Sequence, residues 1–109
     1  MTEINMITEE LRKFRDDRDW AQFHNPKDLA IALSIEASEL LELFLWKAAG
    51  DADTEKVKDE LADVLAYAFM LADKYGLDVA QIMRDKLAKN ELKYPADKAR
   101  GNAKKYSEL

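Results

Sequence analysis

Five acidic residues fall on two otherwise apolar segments: Glu36, Glu39 and Glu42 within SIEASELLELFLW, and Glu60 and Asp63 within ELADVLAY. Residues three apart share a helix face, so Glu36 pairs with Glu39 and Glu60 pairs with Asp63. One unpartnered ionised carboxylate in an apolar interior costs several kcal/mol, a large part of the net stability of a small domain. Neither 28–46 nor 59–73 contains a Lys or Arg to offset that charge. Oxygen-only donor sets of this kind suit Mg2+ or Mn2+, which keep positions open for water and phosphate oxygens. The alternative is that the acids line a solvated groove or pair with Arg12, Arg15 or Lys86 from other helices.

Other chemistries are excluded by composition. Among 109 residues there is no Cys and a single His, which leaves no thiol nucleophile, no zinc–thiolate site and no disulfide framework. The net charge is −5 but unevenly spread: residues 1–83 carry 9 Lys/Arg against 18 Asp/Glu, and residues 84–109 carry 8 against 4. The acidic body argues against nucleic acid as a partner. The basic end is either a small anion-binding element or a solvated tail. No apolar run approaches the roughly 18 residues of a membrane span, and the N-terminal stretch lacks a basic start followed by an apolar run. A cytoplasmic protein without a membrane partner is expected.

Three Gly and two Pro divide the chain into segments of helical length. Asn25 before Pro26, and Asp78 with Gln81 three residues later, read as helix starts. Gly50, Gly76 and the Tyr94–Pro95 pair read as stops. The expected elements are helices at 3–18, 26–49, 53–75 and 78–93, in an all-α four-helix bundle domain spanning 1–95, followed by an irregular basic tail at 96–109. No strand pattern occurs. A turn centred near residue 51 makes the two middle helices antiparallel and puts Glu39 opposite Asp63 and Glu42 opposite Glu60. LAIALSI and LADVLAYAFMLA are apolar nearly all round, more than one small chain can cover. A homo-oligomer, a dimer or a dimer of dimers, is therefore expected.

The ordered blocks RDWAQFHNP, SIEASELLELFLW, ELADVLAY and KLAKNELKYP resemble the MazG-like nucleotide pyrophosphohydrolases, and within them the dCTP pyrophosphatase branch, from about Phe14 to Arg100. The resemblance implies that Glu36, Glu39, Glu60 and Asp63 bind magnesium. It also implies that Trp20, Ala21, Gln22, Phe23, His24, Trp46 and Tyr67 contact a nucleotide, with Lys86 and Asn90 near its phosphates or base. Leu11 departs from the pattern, standing where the branch has a histidine.

The implied reaction is hydrolysis of a deoxynucleoside triphosphate, dCTP or a modified dCTP, to the monophosphate and pyrophosphate for nucleotide-pool sanitation. Glu39 and Glu60, with Glu42, are the candidates for holding or deprotonating the attacking water. If the second helix runs to residue 49, Trp46 lies two turns beyond Glu39 on nearly the same face, about 10 Å along the axis. Tyr67 then falls at the other end of the cluster, so both rings reach one nucleotide only if it spans the cluster or if one ring comes from another subunit. The alternatives are a dUTP or phosphoribosyl-ATP pyrophosphohydrolase of the same fold, and a helical interaction module whose acids are structural. Without the resemblance, Trp20, Phe23 and Trp46 read as ordinary core or interface aromatics.

Overall fold

A computed structural model describes all 109 residues, which form helices and turns without any strand. The four long helices are α1 (Glu3–Asp17), α2 (Pro26–Glu42), α3 (Thr54–Lys74) and α4 (Val79–Lys93), followed by the short α5 (Ala96–Ala99). Starts follow the cap chemistry read from the sequence. Thr2, Asn25, Asp53 and Asp78 each accept from a backbone N–H of the first turn, and Pro26 opens α2.

The chain divides into two compact units, Met1–Leu77 and Asp78–Leu109. In the first, α2 and α3 form the main helix pair and α1 packs on α3. Arg12 on α1 donates through Nε and Nη2 to the Asp73 carboxylate on α3, and the buried Thr8 hydroxyl returns to the Ile4 carbonyl. The second unit contains α4, α5 and a 3-10 turn at Tyr106–Glu108. Its tail is not irregular throughout, because Tyr106 packs edge-on against Tyr94 at 6.1 Å and Lys93 sits over the Tyr106 ring.

Both helix ends of the first unit that lead into short turns use the same device. At the end of α3 the Gly76 and Leu77 amides bond back to the Asp73 and Ala72 carbonyls, with Gly76 at φ 65. At the end of α1, the Asp19 and Trp20 amides bond to Asp16 and Arg15 in the same pattern, with Asp19 at φ 56. This double closure satisfies the last carbonyls and needs one left-handed residue, which Gly supplies freely and Asp tolerates. The apolar contact that accompanies it is also present, since Trp20 meets Phe14 at 5.8 Å.

The sequence reading placed the end of α2 seven residues too late. Leu43, Phe44 and Leu45 donate to the carbonyls three residues back, and Trp46 then turns left-handed at φ 61. This tightening ends the helix before a glycine is reached. Gly50 lies within the 3-10 turn Ala49–Asp51 instead. The register moves with it: Glu36 on α2 meets both Glu60 and Asp63 on α3. Glu42, expected opposite Glu60, lies exposed at the helix terminus.

The core of the chain is small. Leu29 is the one large side chain that is wholly buried, joined by Met70 and Ala72. Ile31 and Ile35 on α2, and Leu61 and Leu65 on α3, remain about half exposed.

Candidate active site

The middle of the α2–α3 pair holds the acids. One carboxylate oxygen each from Glu36, Glu60 and Asp63 lie within 4.8 Å of one another. Glu36 comes from the face of α2 that meets α3, and Glu60 and Asp63, three apart, share the facing side of α3. Glu39, one position along the same face of α2, is not among these three but interacts with both Glu36 and Glu60.

No basic side chain reaches the cluster. The four ion pairs of the chain lie elsewhere, and Glu36 Oε2 and Glu60 Oε2 are buried without hydrogen-bond partners. Burial, followed by the close approach of the Glu39 carboxyl, pushes the Glu36 carboxyl up to about 7. Glu60 is raised as well, first by burial and then by the charge of Glu39. Orphaned carboxylate oxygens with upshifted protons and no cationic partner are the donor set that a hard divalent cation satisfies. The residues therefore fit such an ion, and its binding would release a proton from Glu36.

A cavity of about 120 Å3 adjoins the cluster through Asp63. Its α3 wall is Asp63, Ala66, Tyr67 and Met70, a run at spacings of three and four that marks one helix face. Its α1 wall is Leu11, Phe14 and Arg15, and the following turn adds Trp20 and His24. His24 and Tyr67 stand edge to face at 6.5 Å. Burial lowers the His24 pKa, with Arg15 and Lys74 acting in the same direction, so the imidazole is neutral at physiological pH. Burial, then the charges of Glu36 and Asp63, raises that of Tyr67.

Of the residues singled out in the sequence, the structure thus brings together Glu36, Glu60 and Asp63, with Glu39 beside them, and Trp20, His24 and Tyr67 around the cavity. Others stand apart. Gln22 bonds Asp19, Phe23 is exposed, and Ala21 begins the intervening 3-10 turn. Trp46, off the helix and wholly exposed, does not occupy the two-turn position expected from an unbroken α2. Lys86 and Asn90 lie one turn apart on α4, in the second unit. Phe14, Arg15, Ala66 and Met70 line the cavity without being among the site residues expected from the sequence. The spacing of 63, 66, 67 and 70 marks the last two, whereas Phe14 is placed only by the packing of α1 on α3.

Comparison with known proteins settles the lineage of this arrangement. The family model described as MazG-like matches residues 31–109, which contain all four acids. The chain belongs to the MazG-like family. Among curated relatives, this MazG-like chain is 38% identical to human dCTP pyrophosphatase 1 and 37% identical to the mouse protein of the same name. Each match covers 89% of this chain and 62% of the relative, so the chain spans less than two thirds of the length of those proteins. Among solved structures, a pyrophosphatase from Archaeoglobus fulgidus superposes with a TM-score of 0.78 at 38% identity, covering 87% of this chain and 94% of that one. No helix of this MazG-like chain is long and apolar enough to cross a membrane.

Proposed function

We propose that the chain is a Mg2+-dependent nucleoside triphosphate pyrophosphohydrolase that cleaves a pyrimidine deoxynucleotide, with dCTP or a modified dCTP favoured, to the monophosphate and pyrophosphate. The observation that carries this reading is the meeting of two features at Asp63: a carboxylate trio with unpartnered oxygens, and a cavity walled by Trp20, His24 and Tyr67. Family membership and the names of the curated relatives support it. Cavity size does too, because an engineered cavity of about 150 Å3 accommodates benzene. Space of this order suits a one-ring base.

Glu36, Glu60 and Asp63 hold the cation, with Glu39 completing the set or turned to water. When bound, Mg2+ or Mn2+ neutralises the triphosphate and supplies Lewis acidity toward the attacking water. Glu39 or Glu60 would orient that water, and one of the two would accept its single proton as it attacks the α-phosphorus and pyrophosphate departs. No protein nucleophile is required. Trp20 and Tyr67 present aromatic faces to the base.

The exposed Ile31, Ile35, Leu61 and Leu65 support assembly with a second copy, as a dimer or a dimer of dimers. In such an assembly the fully exposed Trp46 would serve a neighbouring site. Sedimentation as a stable monomer at micromolar concentration overturns the assembly reading.

Pyrophosphate release from a panel of nucleoside triphosphates, with Mg2+, with Mn2+ and with chelator, tests the activity. Turnover of dCTP that requires the cation is expected. Absence of turnover of every triphosphate with either cation refutes the enzyme reading. Wild-type rates in Glu39→Gln or Asp63→Asn would refute the metal and water assignments.

A further inference from the structure

The base cavity contains one cation. Arg15 is 14% exposed at its side chain, and its Nε donates to Asp16 Oδ1 at 2.8 Å. Neither terminal nitrogen of the guanidinium has an acceptor within the chain, and no ion pair joins it to Asp63 across the cavity. Around it the wall is mostly apolar or aromatic: Leu11, Phe14, Trp20, Ala66 and Met70. His24 Nδ1, from the same lining, is buried without a hydrogen-bond partner.

We propose that Arg15 is the specificity-determining residue of the site, donating its paired N–H groups to the O2 and N3 acceptors of a cytosine ring. This rests on the pyrophosphohydrolase reading above and adds the basis of its base choice. A guanidinium presents two parallel donors at a fixed spacing, and cytosine presents two adjacent acceptors. Uracil and thymine carry a hydrogen on N3, so one donor of Arg15 would meet another donor in a largely desolvated cavity. The cytosine 4-amino group, on the far side of N3, is left to donate to the unprotonated nitrogen of the neutral His24 ring. Leu11 contributes only apolar wall, which leaves Arg15 as the hydrogen-bond donor that α1 supplies to the cavity.

Two measurements test the assignment. The first is kcat/KM for dCTP against dUTP in the wild type, Arg15→Met and Arg15→Lys, with circular dichroism reporting the fold of each variant. Bidentate base contacts carry about 10- to 100-fold discrimination. Arg15→Met is expected to lose that factor, through a higher KM for dCTP and, with the opposed donor gone, a lower KM for dUTP. Arg15→Lys keeps the charge without the fork and is expected to lose most of it. The second is calorimetric binding to the full chain of 2′-deoxycytidine and 2′-deoxyuridine in EDTA, and of inorganic pyrophosphate with Mg2+. Binding of deoxycytidine that Arg15→Met abolishes, with pyrophosphate binding unchanged, supports base reading.

A dCTP/dUTP ratio that survives both substitutions overturns the proposal. So does weakened pyrophosphate binding with deoxycytidine unaffected, which would make Arg15 a phosphate contact. Wild-type turnover with no preference between the two triphosphates also overturns it, while leaving the pyrophosphohydrolase reading intact. If no triphosphate is cleaved, that reading fails by itself, and the nucleoside titration still decides for or against Arg15.

Discussion

Glu36→Gln is expected to stabilise the metal-free protein at neutral and higher pH. In the fold, burial and the neighbouring Glu39 and Asp63 hold the Glu36 carboxyl at about 7, against 4.5 for the free side chain. A carboxyl whose folded pKa is raised binds its proton more tightly in the fold than in the unfolded chain. Its contribution is complete below the unfolded value and is lost as pH rises through the folded one. Taken at full effect, the shift corresponds to about 3 kcal/mol. The cluster opens to solvent on the Asp63 side, and screening there reduces the figure to about 1–2 kcal/mol.

For a domain of this length that is an increase in Tm of about 4–8 °C for the variant at pH 8, shrinking to nothing near pH 4. Thermal unfolding in EDTA measures it, at one protein concentration because assembly makes Tm concentration-dependent. Added Mg2+ should reverse the order. The wild type gains about 2.7 kcal/mol at a hundredfold excess of cation over Kd, and the variant, short of one charged ligand, gains less. A wild-type-minus-variant difference that stays flat from pH 4.5 to 8 would refute the reasoning, as would a variant less stable than wild type in EDTA at pH 8.

Leu29→Ala removes the one wholly buried large side chain and should cost about 2–5 kcal/mol in urea unfolding. Asp73→Asn breaks the two-point contact with Arg12 that ties α1 to α3, a loss of about 1 kcal/mol. The Arg12 guanidinium holds the Asp73 carboxyl below its ordinary range, so this loss should be visible above pH 4 and vanish as wild-type Asp73 protonates at lower pH. Asp19→Gly relieves a left-handed backbone at φ 56 and should raise stability by about 0.5–1 kcal/mol, measured by chemical denaturation. Asp19→Val, branched at Cβ, should do the opposite.

The acidic cluster was legible because its signal is local: acids three apart on apolar segments with no Lys or Arg within 28–46 or 59–73. Helix starts were legible for the same reason, since Asn25 and Asp78 carry their cap chemistry in their own side chains. The end of α2 was not. It is set by i to i−3 backbone bonding over Leu43–Leu45 and by a left-handed Trp46, whereas sequence rules look for glycine. With that displacement went the expected facing of Glu42 and Glu60, and Glu36 meets Glu60 and Asp63. The cavity wall on α1 was hidden differently. Phe14 and Arg15 acquire their role only when α1 lies against α3, and nothing in their neighbours along the chain marks that contact.

The turn that closes α1 also separates chemistry from choice. The carboxylates sit on α2 and α3, inside the stretch that matches the family model, whereas Leu11, Phe14, Arg15, Trp20 and His24 all precede it. These five wall residues span fourteen positions and are held in place by a helix-terminating motif whose bonds are local. Provided that Arg12, the tie to Asp73 on α3, is kept, a segment of this kind can be exchanged without disturbing the acidic cluster. On the proposed function, grafting residues 11–24 from another member of the family, with Arg12 retained, should therefore carry over its base preference and leave the cation dependence of the recipient in place.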